Sequence, residues 1–111
     1  MTAKKPGEKR LHTRCECRVP VVFENEFGDE VFFVHSRDIS EGGIFLETDI
    51  PAKLGSMMLL AVQLPGQKQP TRVTGQVMRN TLQGAPSLGV GIRYVGLSSH
   101  ATKQLQGFLQ I

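Results

Sequence analysis

The sequence predicts an all-β domain, either an antiparallel barrel or a sandwich, followed by one C-terminal helix. Six short segments alternate apolar with polar residues or stay apolar for a few positions, which is typical of strands. Glycine, proline and asparagine separate these segments, and near the C-terminus the apolar period changes from two to between three and four. With 111 residues, of which 40% are hydrophobic, the chain forms one domain with a single modest core.

Three strands are predicted in the N-terminal half. Their apolar positions are Val19, Val21 and Phe23 in the first, residues 31–34 in the second, and Ile44 and Leu46 in the third. Residues 25–29, which include Gly28, predict a hairpin turn between the first two strands, because glycine tolerates the positive φ of tight turns.

Three further strands and a helix complete the expected fold. The strands cover 57–64, 72–79 and 88–94, with turns predicted at 51–55, 65–66 and 80–86. In the helix the apolar residues recur at spacings of three and four, namely Leu97, Ala101, Leu105, Phe108 and Leu109. Ser98 is placed to cap its N-terminus, and the apolar face is expected to pack on the strands.

The positive charge is concentrated in the N-terminal segment. Residues 1–18 hold six basic and two acidic groups, a net charge of +4, whereas the whole chain carries +3, which leaves −1 for the remainder. Residues 1–8 have too few apolar side chains to offset their ordering entropy, so we expect a flexible basic arm followed by a folded domain over 9–111. Such an arm suits an anionic partner.

Several function classes are disfavoured. No apolar run reaches the roughly 18 residues that a membrane helix needs, and no secretion signal follows the basic start, so we expect a cytoplasmic protein without membrane insertion. Cys15 and Cys17 lie two apart, which is a poor spacing for a disulfide. No nucleophile, paired carboxylates or metal-ligand spacing is visible, which predicts a protein that is not an enzyme, with no catalytic residues, no metal and no cofactor.

Two short motifs carry the functional signal. Arg10-x-x-x-Arg14 precedes the first strand, and Asp38-x-Ser40-x-x-Gly43 follows the second. Arginine forks bind phosphates and the acceptor edge of guanine, whereas a carboxylate accepts hydrogen bonds from the guanine ring N–H and amino group. A phosphate ligand that contains guanine would use both motifs.

Together with the strand Leu88-Gly-Val-Gly-Ile-Arg-Tyr94, these motifs resemble the PilZ domain, a bacterial receptor module for cyclic di-GMP. The resemblance extends from about Lys9 to Leu109. It implies a six-stranded antiparallel barrel with a C-terminal helix, in agreement with the strand pattern. It also implies cyclic di-GMP as the ligand.

The resemblance implies roles for five residues. Arg10 and Arg14 would clamp the ligand, while Asp38 and Ser40 would contact a base or phosphate. Gly43 would let the backbone approach the ligand without a Cβ. In the alternative interpretation, Asp38 and Ser40 only bond to their own backbone in a plain turn.

Four further residues are possible ligand contacts: Lys9, Gly42, Arg37 and Arg93. Lys9 lies just before the arginine pair, and the resemblance implies that this position influences whether one ligand or an intercalated pair binds. Arg37 points away from Asp38 if the strand is regular. Arg93 lies between Gly91 and Val95 on one face of the last strand.

The leading hypothesis is a cyclic di-GMP receptor whose N-terminal arm becomes ordered on the ligand and which signals through an unidentified partner protein, as a monomer or weak dimer. Two alternatives remain. One is an adaptor of the PilZ type that acts without ligand. The other is a small basic barrel that binds nucleic acid, which the expected core positions of Phe32, Phe33 and the other aromatics disfavour.

Overall fold

The fold was obtained as a computed structural model that describes residues 14–25, 28, 30–50, 52–80 and 89–109. Within these ranges the chain forms seven strands and one helix. They are β1 (Arg14–Cys15), β2 (Pro20–Asn25), β3 (Val31–Ser40), β4 (Gly43–Glu47), β5 (Met57–Val62), β6 (Thr71–Asn80), β7 (Gly89–Tyr94) and α1 (Ser99–Leu109).

Six of the described strands close into an antiparallel barrel in the order β3-β2-β5-β6-β7-β4, and β4 pairs back to β3. The short strand β1 adds to the edge of β3 beyond the end of β2. The predicted barrel with one C-terminal helix is therefore confirmed. Its β2–β3 turn is the expected hairpin, in which the Gly28 N–H donates to the Asn25 carbonyl at 3.0 Å and Gly28 has φ of 72°.

Side chains that alternate along the strands fill the barrel. The fully buried ones include Val21, Phe23, Ile39, Leu46, Val62, Val77 and Val90. Phe33 departs from the expected core position, because its side chain is 80% exposed on the outer face of β3. Its neighbour Phe32 faces the other side and contacts Phe23, with 5.1 Å between the ring centroids.

Helix α1 begins where the sequence predicts. The Ser98 hydroxyl oxygen accepts a hydrogen bond from the Ala101 N–H at 3.0 Å, which satisfies one of the unpaired donors of the first turn. Ala101, Leu105 and Leu109 are buried on one face, at the predicted spacing of four. The helix is thereby fixed to the barrel core.

Strand β3 is longer and less regular than predicted. It extends from Val31 to Ser40, well beyond the apolar run at 31–34, because its later residues pair with β4. The register shifts between Ser36 and Asp38, which makes Arg37 the extra residue of a β-bulge. A second bulge in β6 lies between Val77 and Arg79. Bulges re-aim the side chains that follow them, and these two lie on the same wall of the barrel.

Ser36 joins the N-terminal segment to β3. Its side chain is fully buried, accepts a hydrogen bond from the Val19 N–H at 3.0 Å and donates one to the Cys17 carbonyl at 2.7 Å. The Ser36 N–H also donates to the Val19 carbonyl at 2.9 Å. These bonds hold the stretch between β1 and β2 against the barrel, and so determine where β1 lies.

We expect Ser36→Ala to lower the free energy of unfolding by about 1–3 kcal/mol, because it leaves a buried N–H and a carbonyl without their partner. Chemical denaturation would measure this. The matched control is Ser56→Ala, which removes an exposed hydroxyl bonded to the Lys53 carbonyl and should change stability by less than about 0.5 kcal/mol. Equal effects of the two substitutions would contradict the role given to Ser36.

Candidate functional site

The two sequence motifs meet at one end of β3. Arg14 is paired with Ser40 in the β1–β3 ladder, although 25 residues separate them in the chain. The structure describes the backbone of Arg14, whereas Lys9 and Arg10 lie outside the described residues. The start of the barrel is therefore anchored beside the Asp38-x-Ser40-x-x-Gly43 turn.

The hydroxyl of Ser40 organises this turn. It accepts hydrogen bonds from the N–H groups of Gly42 at 3.2 Å and Gly43 at 3.0 Å, and it lies 3.2 Å from the Gly43 carbonyl, to which it donates. A hydroxyl has one donor and two acceptor positions, so these contacts use its full capacity. Ser40 thus has the backbone-bonding role that the sequence left open as an alternative.

Gly43 is required by close contact between strands. It pairs with Arg93 in the β4–β7 ladder, and a Cβ at Gly43 would overlap the carbonyl oxygen of Ile92. That carbonyl belongs to the backbone and cannot move aside without breaking the ladder. Gly42 contributes its carbonyl, which accepts a hydrogen bond from the Tyr94 N–H at 3.0 Å. The turn and β7 are therefore joined tightly.

A surface depression of about 260 Å³ opens beside this turn. Asp38, Ser40, Gly42, Gly43 and Arg93 line it, so that five of the residues predicted from the sequence share one concave surface. The other lining residues are Ile44, Phe45, Met78, Arg79, Gly91 and Ile92. The depression offers a carboxylate, two guanidinium groups and a short stretch of accessible backbone.

One row of cross-strand neighbours runs through the depression. Asp38 pairs with Phe45, Phe45 pairs with Gly91, and Gly91 pairs with Arg79, so the row crosses β3, β4, β7 and β6. Paired residues of an antiparallel sheet project to the same face. The row therefore places an acid at one end and a guanidinium at the other end of a single outer face.

Phe45 is an aromatic residue that faces outward and is nevertheless buried, with 4% of its side chain exposed. The Arg37 guanidinium carbon lies 4.3 Å from the ring centroid and that of Arg79 lies 5.4 Å from it. Cation–π attraction favours both contacts. Gly91 leaves the space through which Arg79 reaches the ring, since a Cβ there would be 3.2 Å from the Arg79 Nε.

The two arginines that the sequence analysis named as possible ligand contacts, Arg37 and Arg93, differ in placement. Arg37 does not point away from Asp38, because the bulge breaks the strand alternation and turns it toward Phe45. The regular-strand expectation was wrong on this point. Arg93 lies in the depression, with one guanidinium N–H donated to the Gln76 side-chain oxygen at 3.0 Å.

Sequence reasoning missed Arg79 and Phe45. Val73 and Val77 face the core, so strict alternation places Arg79 inward as well, where a guanidinium is implausible as a ligand contact. The bulge at Met78 moves it to the outer face. Period analysis does not reveal a bulge, but an arginine at an inward position of an otherwise apolar strand is a signal that the alternation breaks there.

The sequence matches one known protein family over most of its length. The model of the PilZ domain matches residues 8–110, nearly the whole chain. The chain belongs to the PilZ domain family. This PilZ domain therefore carries both of its sequence motifs within the matched region.

Solved PilZ structures share the fold. The PilZ domain of YcgR from Escherichia coli, solved with c-di-GMP, has a TM-score of 0.69 at 18% identity, over 92% of this chain and 89% of that one. The PilZ domain of CeSA from a cellulose-synthesizing bacterium has a TM-score of 0.68 at 17% identity, over 87% and 94%. Bacillus subtilis MotI (DgrA), an inhibitor of motility, has a TM-score of 0.74 at 18% identity.

The MotI match covers 92% of this chain but 50% of the MotI chain, so this PilZ domain spans about half the length of MotI. At these identities the likeness shows the common fold. No curated protein sequence matches the chain.

Two groups behind the depression keep their protons at neutral pH. Burial, the hydrogen bond to Cys15, and the charges of Cys15 and Asp38 raise the pKa of the Cys17 thiol to about 12. Burial raises the pKa of Tyr94, and Cys17 and Asp38 raise it further. The Tyr94 hydroxyl is buried without a hydrogen-bond partner in the described ranges.

No cluster of three or more His, Cys, Asp or Glu residues in the described part of this PilZ domain is arranged to hold a metal ion. None of the described helices is long and apolar enough to cross a membrane. A larger cavity of about 830 Å³ lies at the other end of β3, where its walls are mainly apolar, including Phe23, Phe32 and Met58. It contains none of the motif residues.

We expect iodoacetamide to alkylate Cys17 at pH 8 at least about 100-fold more slowly in the folded protein than in urea. The raised pKa keeps the thiol neutral across this pH, and only the thiolate reacts. Tandem mass spectrometry of the peptide that contains both cysteines separates Cys17 from Cys15. Equal rates in the folded and unfolded protein would contradict the raised pKa.

Proposed function

We propose that this PilZ domain is a receptor for cyclic di-GMP. The observation that carries the proposal is the convergence of the two motifs, because Arg14 pairs with Ser40 beside a depression that Asp38 and Arg93 line. Membership of the PilZ family supports the same ligand class. The E. coli YcgR domain, whose fold this chain shares, was solved with c-di-GMP.

The chemistry of the site suits a guanine nucleotide. The Asp38 carboxylate accepts from the ring N–H and amino group of guanine, donors that adenine does not present together. Arg10 and Arg14 supply planar forks for the phosphates or for stacking on a purine plane. Ser40 acts through the turn, which exposes the backbone of Gly42 and Gly43 to the ligand, and Lys9 adds charge without the arginine fork.

We further propose that the ligand orders the N-terminal arm on the barrel, and that a separate protein recognises the surface so formed. Fixing about five to eight residues costs on the order of 5–15 kcal/mol of conformational entropy. Several charge-assisted hydrogen bonds are needed to offset this cost. Binding and ordering are thereby coupled, and each arginine of the motif becomes essential for affinity.

The ligand-independent adaptor and the nucleic-acid barrel have weaker support. An adaptor would have no use for a carboxylate and two guanidinium groups in one depression. A surface for single-stranded nucleic acid needs several exposed aromatics. In the described residues one aromatic side chain, Phe33, is largely exposed, and it lies on β3 at the end away from the depression.

Isothermal titration calorimetry tests the proposal. We expect wild-type protein to bind cyclic di-GMP at micromolar concentration or below, and Arg14→Ala and Asp38→Ala each to weaken binding at least about 10- to 100-fold, because each removes a charge-assisted contact. GTP and cyclic di-AMP should bind far more weakly.

The matched controls are Arg18→Ala and Asp49→Ala, an exposed arginine and an exposed aspartate outside the depression. Both should bind as the wild type does. If the folded wild type gives no binding heat and no change in its NMR spectrum, the receptor proposal is wrong. If the controls lose as much affinity as the motif variants, the binding depends on general charge and not on the site.

A further inference from the structure

Arg79 belongs to neither motif, and three observations make it a candidate ligand contact. It is exposed, it is placed on the outer face by a bulge, and it lines the same depression as Asp38. Its guanidinium forms no hydrogen bond or ion pair with any residue in the described ranges. Its donors are therefore available to a ligand, whereas one N–H of Arg93 is already bonded to Gln76.

The position of Arg79 is held by its surroundings. The guanidinium rests near the Phe45 ring, at 5.4 Å from its centroid, and passes over Gly91, where a Cβ would lie 3.2 Å from its Nε and 3.4 Å from its Cβ. A planar cation against an aromatic face loses less freedom on binding than a free side chain. These neighbours therefore keep the Arg79 guanidinium beside the depression before a ligand binds.

The two bulges act as a pair. Arg37 is the extra residue before Asp38, and Met78 is the extra residue before Arg79. Each bulge brings the residue after it into one row across β3, β4, β7 and β6. With neighbouring strands about 4.8 Å apart, the backbones of Asp38 and Arg79 are about 14 Å apart across the three strand spacings. The Arg79 side chain extends from its end of the row to the Phe45 ring.

We propose that Arg79 is a specificity-determining residue that donates to O6 and N7 of a guanine whose ring N–H and amino group are bound by Asp38. This inference rests on the proposed cyclic di-GMP function. Guanine carries its acceptors, O6 and N7, on the edge next to its donors, and an arginine fork fits that edge with two hydrogen bonds. Asp38 and Arg79 thus bind the donor edge and the acceptor edge of one guanine from opposite ends of the row.

The test compares cyclic di-GMP with its analogue in which both guanines are 7-deazaguanine, which lacks the N7 acceptor. Calorimetry on the full chain should show that Arg79→Gln weakens cyclic di-GMP binding about 5- to 100-fold. Wild type should bind the analogue more weakly than cyclic di-GMP, whereas Arg79→Gln should bind the two ligands with equal affinity. That disappearance of the difference is a result that a merely structural role of Arg79 would not produce.

Two variants sharpen the result. Arg72→Gln changes an exposed arginine of the same strand outside the depression and should keep both the affinity and the analogue difference. Arg79→Lys keeps the charge and donors that can reach O6 or N7, so it should lose less affinity than Arg79→Gln and keep part of the analogue difference. If the analogue difference persists undiminished in Arg79→Gln, the proposed contact is wrong.

The outcome is separate from that of the receptor proposal. A wild type that does not bind cyclic di-GMP defeats the proposed function. Normal binding by wild type with unchanged affinity in Arg79→Gln defeats only the role of Arg79. The circular dichroism spectrum of Arg79→Gln should match wild type, and its stability should fall by no more than about 1 kcal/mol, the size of the lost contact with Phe45.

Discussion

Pairing by β3 on both of its edges is the constraint on which the barrel and the site depend. Its first half pairs with β2 and its second half with β4, and the β3–β4 ladder is the one that closes the described barrel. The same second half also holds β1 through Ser40 and the N-terminal segment through Ser36. Closing the barrel and bringing the two motifs together are therefore one structural event, since both use residues 35–40.

Close approach between β4 and β7 shapes the surface that results. Gly43 and Gly91 lack side chains where the neighbouring strand or the Arg79 side chain needs the space. Beside these glycines the Phe45 side chain points outward, and Arg37 and Arg79 cover its ring. The ring is therefore buried without lying in the barrel core. The Phe45 ring thus contacts two guanidinium groups beside the Asp38 carboxylate, so the bottom of the polar depression is a packed aromatic ring.

Regular features of the fold followed from sequence periodicity, and irregular ones did not. Alternation identified the barrel strands, and the spacing of Ala101, Leu105 and Leu109 with the Ser98 cap identified the helix. The motifs located Asp38, Ser40 and Gly43, which do share one depression. Arg37 was misplaced and Arg79 was overlooked, because a bulge depends on the register with a partner strand, which the local period does not specify.

An NMR titration of ¹⁵N-labelled protein with cyclic di-GMP tests the central claim most directly, because it reports the location of binding as well as its occurrence. The account predicts that amide signals of the arginine motif, 10–14, change together with those of 38–43 and 91–93. Signals around the apolar cavity at 52–58 should stay in place. Changes confined to that cavity, or changes at 38–43 without any at 10–14, would contradict a site formed where the two motifs meet.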